Sequence, residues 1–246
     1  MPESNHTTAA IIIIGAEVLS GKVNDENGPF LLRALRERGI DVKEIRTIDD
    51  DRNTIASAVR ELSQRFTYVF TTGGIGPTHD DITLESIAEA FNCPVVRHQE
   101  LADHFAQRFT DSKRRAAALR MADLPEGSTV KMAGYVPVIQ KENVAIFPGV
   151  PPLMRNCFDV IAPELRGAEF YSDAIYLNAS ESQIAAHLTD VQNTFSNVAI
   201  GSYPQFGDTP YRVKITVDSR YPEAVHQAIQ AILASLDPSW VINPES

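Results

Sequence analysis

Sulfur is scarce in this chain: its two cysteines, Cys93 and Cys157, lie far apart, with no Cys-x-x-Cys and no histidine paired to either. That spacing excludes a disulfide framework and a zinc site, and reads as two buried thiols of a reducing compartment. Positive charge is also short. Twenty-two lysines and arginines face 32 aspartates and glutamates, 22 against 32 Lys+Arg to Asp+Glu, for a net charge of −10. A nonspecific nucleic-acid binder needs a basic face, so that class is excluded and any basic site must be local. Long hydrophobic runs are missing too. The strongest, Ile11 to Ile14, is too short to span a membrane and has no basic segment before it to make a signal peptide, so a cytoplasmic location is expected. The six histidines are scattered, and His98 and His104, six apart, do not share a helix face. There is no internal repeat or low-complexity tract. With 43% hydrophobic residues over 246 positions, a core can be built without staples.

What the chain does have is a stretch that organises the rest, Thr71-Thr72-Gly73-Gly74-Ile75-Gly76-Pro77-Thr78-His79-Asp80-Asp81-Ile82-Thr83. The apolar run from Tyr68 to Phe70 enters it, and a helical pattern (Leu84, Ile87, Ala88, Phe91) leaves it, which is strand, tight loop and helix start. Glycines let successive backbone N–H groups approach an anion, and a helix start adds free donors and a positive dipole end. Asp80 and Asp81 place negative charge where a phosphate would sit, a combination that calls for a divalent cation with hard oxygen ligands such as Mg²⁺. The same residues admit a plainer account, in which one aspartate caps the helix and Gly-Gly-x-Gly-Pro is ordinary turn chemistry.

Taken in order, residues 1 to 8 read as a loose tail and Ala9 to Ile14 as a strand buried on both faces. Asn27 is expected to cap a helix running to Gly39. Val42 to Ile48 forms a second strand, and Asp49-Asp50-Asp51 leads into a helix with Ile55, Val59, Leu62 and Phe66 on one face. Gln99 to Met121 reads as one helix, with Lys113, Arg114, Arg115 and Arg120 either near a phosphate or on a solvated face. Val144 to Phe147 is a buried strand followed by the stiff loop Pro148-Gly149-Val150-Pro151-Pro152. Strands alternating with helices mean a parallel α/β sheet, and loops that follow its strands share the carboxyl edge where ligands bind. One rim therefore gathers Gly15, Glu17, the segment 24 to 27, Asp50, the loop from Gly73 to Asp81, and Pro148 to Pro151. After Pro163 the order becomes β-α-β-β-α-β, a ferredoxin-like unit, with Ser180 and Gln183 as a capping pair. The expected domains are 1–166, a three-layer α/β domain, and 167–246, the smaller α+β one.

Gly15-x-Glu17-Val-Leu-x-Gly21, Asp25-x-Asn27, Asp50, Gly73-Gly-Ile-Gly-Pro-Thr-His-Asp-Asp81-Ile-Thr83 and Phe147-Pro-Gly-Val-Pro151 resemble the molybdopterin-binding-like (MoCF) domain of the CinA group. The likeness is greatest to the version fused to eukaryotic FAD synthases. It covers nearly the whole chain but neither the amidohydrolase domain of full-length CinA nor the adenylyltransferase domain of FAD synthases, so it implies neither activity. Molybdopterin-adenylating relatives commonly have a basic residue where Asp80 stands, and Pro77 is a second departure from them. The resemblance implies a metal-dependent pyrophosphatase that acts on FAD or ADP-ribose-like dinucleotides and releases AMP. On that view Asp50, Asp80 and Asp81 are catalytic and hold Mg²⁺, Mn²⁺ or Co²⁺, with Glu17 as a weaker candidate beside them. Gly73, Gly74, Gly76, Pro77, Thr78 and Thr83 cradle the diphosphate, and Gly15, Asn27, Pro148, Gly149 and Pro151 complete the substrate site. Two alternatives stay open: a module that binds molybdopterin or a nucleotide without turnover, and a molybdopterin adenylyltransferase. A homodimer or homotrimer is implied by the association usual among relatives.

Overall fold

The structure, a computed structural model, describes residues 7–242. The chain divides into two compact units, Met1–Gly167 and Ala168–Ser246. The first is built on a six-stranded sheet. Strands β1 (Thr8–Ile14), β2 (Asp41–Ile48) and β3 (Tyr68–Thr72) come first, and β4 (Val95–Arg97) with β5 (Asp123–Pro125) forms a separate two-stranded ribbon. The sheet is completed by β6 (Thr129–Ala133), β7 (Val136–Lys141) and β8 (Val144–Phe147), giving the order β2-β1-β3-β8-β7-β6. Pairings from β2 to β8 are parallel, and β6-β7-β8 is an antiparallel meander at one edge. The sheet is thus mostly parallel.

Strand β1 shows why a β-branched run belongs in the middle of such a sheet. After the single turn of α1 (Ala16–Leu19), helices α2 (Asn27–Arg36) and α7 (Pro151–Ile161) share one core with Ile11 and Ile13. Ile12 and Ile14, of opposite pleat, enter a second core with α3 (Arg52–Arg65) and α4 (Thr83–Ala90). Both faces are covered, which is the three-layer arrangement. On the α2 side Phe70 stacks on Phe147 at 6.1 Å between ring centres, and Phe158 packs against both.

Several local expectations are corrected. The tail reading of residues 1–6 lies outside the described residues, while Thr8 already belongs to β1. Asn27 is the first residue of α2, whose N-cap is Glu26; the capping is done by the Asp25 carboxylate, which accepts from the N–H groups of Asn27 and Gly28. The stretch Gln99–Met121 is not one helix. It breaks into α5 (Gln99–Arg108) and α6 (Ser112–Arg120), because Asp111 turns extended and caps the second through the N–H of Arg114. Strands β6 and β7 went unpredicted, since β6 is short and partly exposed and β7, though buried over its first four residues, carries Pro137. Cys157 is buried, and its thiol is pushed up to about 12 by that burial, whereas Cys93 is half-buried rather than buried.

The second unit has strands β9 (Tyr171–Leu177), β10 (Ala199–Pro204), β11 (Val213–Ser219) and β12 (Val241–Ile242), ordered β10-β11-β9-β12 and all antiparallel. Helices α8 (Glu181–Thr194) and α9 (Pro222–Ser235) cover one core with it. This is the ferredoxin-like β-α-β-β-α-β order, and the Ser180/Gln183 capping box is present at the start of α8. Among the described residues no helix is long and apolar enough to cross a membrane.

An ion-pair network ties the edge strand β2 to α3: Arg46 bonds Glu61 through both terminal nitrogens, each at 2.7 Å, and Arg65 pairs with Glu61 and Glu44. The hydrogen bonds from Arg46 and then Arg65 lower the Glu61 carboxyl from its ordinary 4.5 to about 2. A carboxyl lowered in the folded state stabilises the fold above its unfolded pKa and loses that contribution as pH falls toward 2. Glu61 is solvent-exposed, so the effect is small. The Glu61→Gln variant is expected to unfold at slightly lower urea than wild type at pH 7, with the gap closing between pH 4.5 and 2; a gap that stays constant through that range contradicts the assignment.

Candidate active site

The ends of β1, β3 and β8 meet around Gly73. Its φ is +107°, and a Cβ there would lie 2.1 Å from the carbonyl oxygen of Ile14, so no side chain fits. Its N–H donates to the carbonyl of Phe147 at 3.1 Å. Gly74 follows with φ +65°. From below, Thr83 at the start of α4 fixes both: its hydroxyl donates to the carbonyl of Gly73 and its N–H to the carbonyl of Gly74, each at 3.0 Å. Asn27 does the same from the side. Its Nδ2 donates to Thr72 Oγ1 at 2.8 Å and to the carbonyl of Gly149 at 2.7 Å, while the Thr72 hydroxyl donates to the carbonyl of Pro148. With its carbonyls tied down in this way, the loop leaves the amide hydrogens of Gly74, Ile75 and Gly76 with no acceptor among the described residues.

Beside this bed lies a cleft of about 710 Å³, within the size range of small-molecule sites. Glu17, Asp50, Asp80 and Asp81 all line it, with Gly73, Gly74, Gly76, Pro77, Pro148, Gly149 and Pro151. The carboxyl edge of the sheet has brought together residues more than a hundred positions apart. The three aspartates after β2 divide their work. Asp51 caps α3 through the N–H and hydroxyl of Thr54, Asp49 accepts from the N–H of Asp50, and Asp50 reaches across to accept from the N–H of Ala16 at 2.9 Å. Burial pushes the Asp50 carboxyl above the usual carboxylate range; the Ala16 bond opposes this, and the charges of Glu17, Asp49 and Asp80 add to the push.

Neither aspartate of the glycine loop caps α4, whose N-cap is Ile82 with no side-chain bond. Asp81 instead accepts from the N–H of Thr78 at 2.8 Å and from its hydroxyl. Thr78 therefore folds the loop onto Asp81. Thr83 is fully buried and serves as a brace beneath the loop, and Gly15 and Asn27 lie outside the cleft lining, Asn27 as the buried tie already described. His79 is 97% exposed at its side chain.

The far wall of the cleft was not anticipated. Phe105, Arg108 and Phe109 from the end of α5, Met121, and Tyr135 to Pro137 from the β6–β7 turn make it largely apolar, with Arg108 the one basic residue in the lining. The basic residues picked out from sequence, Lys113, Arg114 and Arg115, are not in it, and Arg120 faces a small neighbouring hollow with Asp81 and Asp123. Reading 99–121 as one helix hid Arg108, which lies at the end of α5 and in the cleft lining.

The donor set is carboxylate oxygen, suited to Mg²⁺ or a similar hard ion. Among the described residues no three His, Cys, Asp or Glu groups stand close enough to enclose an ion by themselves. Mg²⁺ at phosphate sites is usually held by one or two carboxylates, with phosphate oxygens and water in the remaining positions, and Asp50 with its acidic neighbours meets that smaller demand.

These features define an α/β domain with an acidic cleft and an amide bed at the carboxyl edge of its sheet, followed by a ferredoxin-like unit. Residues 10–167 match the family described as "Probable molybdopterin binding domain", and residues 169–245 match "FAD synthase, middle domain". The chain belongs to this molybdopterin-binding-domain family, as its motifs indicated. It is 36% identical to a protein of Archaeoglobus fulgidus over 222 residues, 89% of this chain and 94% of that one. It is 31% identical to a "Probable FAD synthase" of Caenorhabditis briggsae, over 96% of this chain and 50% of that protein. A CinA-like protein of Gloeobacter violaceus is 33% identical, over 93% of this chain and 57% of its own length. The chain thus spans about half the length of the FAD synthases and CinA-like relatives it matches. A crystal structure of CinA from Thermoplasma acidophilum superimposes with a TM-score of 0.61 at 25% identity, covering 65% of this chain and 99% of that one.

The demand for glycine can be measured. Gly73→Ala combines a left-handed backbone with a collision against backbone, and should cost about 2–4 kcal/mol. Gly21→Ala, at φ +71° with nothing within 4 Å, should cost only about 1 kcal/mol. Equal losses in denaturant titrations of the two variants refute the close approach at Ile14.

Proposed function

We propose that this chain is a metal-dependent nucleotide pyrophosphatase that hydrolyses the diphosphate of FAD or an ADP-ribose-like dinucleotide and releases AMP. The observation that carries the reading is the juxtaposition of three unpaired amide hydrogens, on Gly74 to Gly76, with a half-buried carboxylate, Asp50, whose charged form is disfavoured by burial first and by its acidic neighbours after that. An amide bed alone suits an anion; four carboxylates alone repel one. Both together suit a diphosphate that arrives with a cation. The chain's match to the middle domain of FAD synthases supports a dinucleotide of that kind.

In this reading the amides of Gly74, Ile75 and Gly76 take phosphate oxygens and offset charge that grows on them during attack. Asp50, held in place by the N–H of Ala16, would hold the ion with one of Asp80 and Asp81, phosphate oxygens and water taking the remaining positions, with Glu17 orienting the first loop. Such an ion, when bound, polarises the phosphoryl oxygens and lowers the pKa of a bound water. The Thr78 clasp keeps the Asp81 carboxylate beside Gly76 as the diphosphate binds. The apolar wall favours a second reading, a module that holds a molybdopterin or a nucleotide without turnover.

One assay separates them. FAD, ADP-ribose and NAD are incubated with the protein and Mg²⁺, Mn²⁺ or Co²⁺, and AMP is followed by chromatography. AMP is expected with at least one ion, falling by about 10- to 100-fold or more in Asp50→Asn and Asp81→Asn. Tight nucleotide binding by calorimetry with no AMP under any ion overturns the hydrolase and leaves the binding module.

A further inference from the structure

The cleft holds a pair of residues that neither the glycine bed nor the carboxylates explain. Arg108, the last residue of α5, lays its guanidinium over the ring of Tyr135 at 4.1 Å from the centroid. Tyr135 stands on the turn between β6 and β7, 48% exposed, next to Gly134 at φ +64°. Both line the same cleft as Asp50, and Arg108 forms no ion pair with any carboxylate among the described residues. A guanidinium resting on a ring keeps its in-plane N–H groups directed outward, where they can take an anion. Phe109 and Met121 line the same cleft as the exposed ring.

We infer that Arg108 and Tyr135 set substrate selectivity in this cleft: Tyr135, with Phe109 and Met121, receives a planar heterocycle, and Arg108 pairs with a phosphate of the same molecule. The inference rests on the nucleotide reading above and narrows it to diphosphates that carry an aromatic ring. The division of the lining supports it. Acidic groups and amides occupy the side formed by the strand ends, and rings with a lone cation occupy the side formed by α5 and the β6–β7 turn. An inorganic diphosphate engages the amides and Arg108 and leaves the rings unused. A nucleotide engages the rings as well.

The test uses binding, so it does not depend on turnover. Inorganic pyrophosphate, ADP and FAD are titrated calorimetrically against wild type, Tyr135→Ala, Tyr135→Phe, Arg108→Ala and Arg108→Lys, with thermal unfolding as a check that each exposed-site variant is folded. Wild type should prefer ADP and FAD to pyrophosphate. Tyr135→Ala should weaken both nucleotides about tenfold and leave pyrophosphate unchanged, and Tyr135→Phe should restore them. Arg108→Ala should weaken all three, with Arg108→Lys recovering part. A nucleotide preference that survives in Tyr135→Ala overturns the inference. Ring-dependent binding without AMP release would instead sink the hydrolase reading and leave this one standing.

Discussion

Everything in the cleft depends on how closely the backbone of Gly73 approaches the carbonyl of Ile14. Two parallel strands, β1 and β3, end side by side, and the chain leaving β3 must turn across the end of β1 at a distance that admits no Cβ. That crossing carries Gly74 to Gly76 into line with their amide hydrogens unpaired. It also stacks the loop against Gly149, whose own Cβ would meet Gly73 Cα at 3.3 Å. A side chain at either position would push the loops apart and disperse the bed. The requirement is steric first, and the electrostatics follow from it.

Bare amides at a cleft wall can be met by water or a ligand, but the buried carbonyls of the same loop need partners within the protein. Thr83, Asn27 and Thr72 perform that task from three directions, and all three are buried. They look polar and functional in sequence, and the hydroxyls of Thr83 and Thr72 and the amide nitrogen of Asn27 donate to the loops and strand ends themselves. The division explains why the polar residues of a motif fall into two groups. Those whose side chains are buried preorganise the backbone, and those on the rim, Asp50, Asp80 and Asp81, supply charge.

The three-layer α/β sheet, the ferredoxin-like unit and the acidic rim were all legible in sequence, because each rests on a strong local signal. The isoleucines of β1 alternate between two cores, Ser180 and Gln183 cap α8 reciprocally, and strand ends in a parallel sheet share an edge. The opposite wall was not legible. It is made where α5 stops and where β6 turns into β7, and both events depend on features that periodicity does not register: an extended Asp111 that caps a new helix, and a left-handed Gly134 in a short hairpin. Arg108 was not among the basic residues singled out in sequence, because nothing in the periodicity marks that a helix ends there.

The acidic and apolar walls belong to one argument about charge. A protein with a net charge of −10 that gathers four carboxylates in a cleft repels every phosphate from a distance, and the repulsion is largest at the low ionic strength where screening is weak. Affinity for an anionic substrate must then come from short-range terms that act after entry. The cleft supplies two kinds, amide donors whose hydrogen bonds need contact and ring contacts that are indifferent to charge, and on the reading proposed above a cation arriving with the phosphate would add a third. Among the described residues Arg108 is the only basic side chain in the lining, so it cannot cancel the field of four acids. It can only favour one position of the phosphate over others. A site arranged this way gains little from charge steering and much from fit, and its selectivity is therefore expected to reside in the ring-bearing wall.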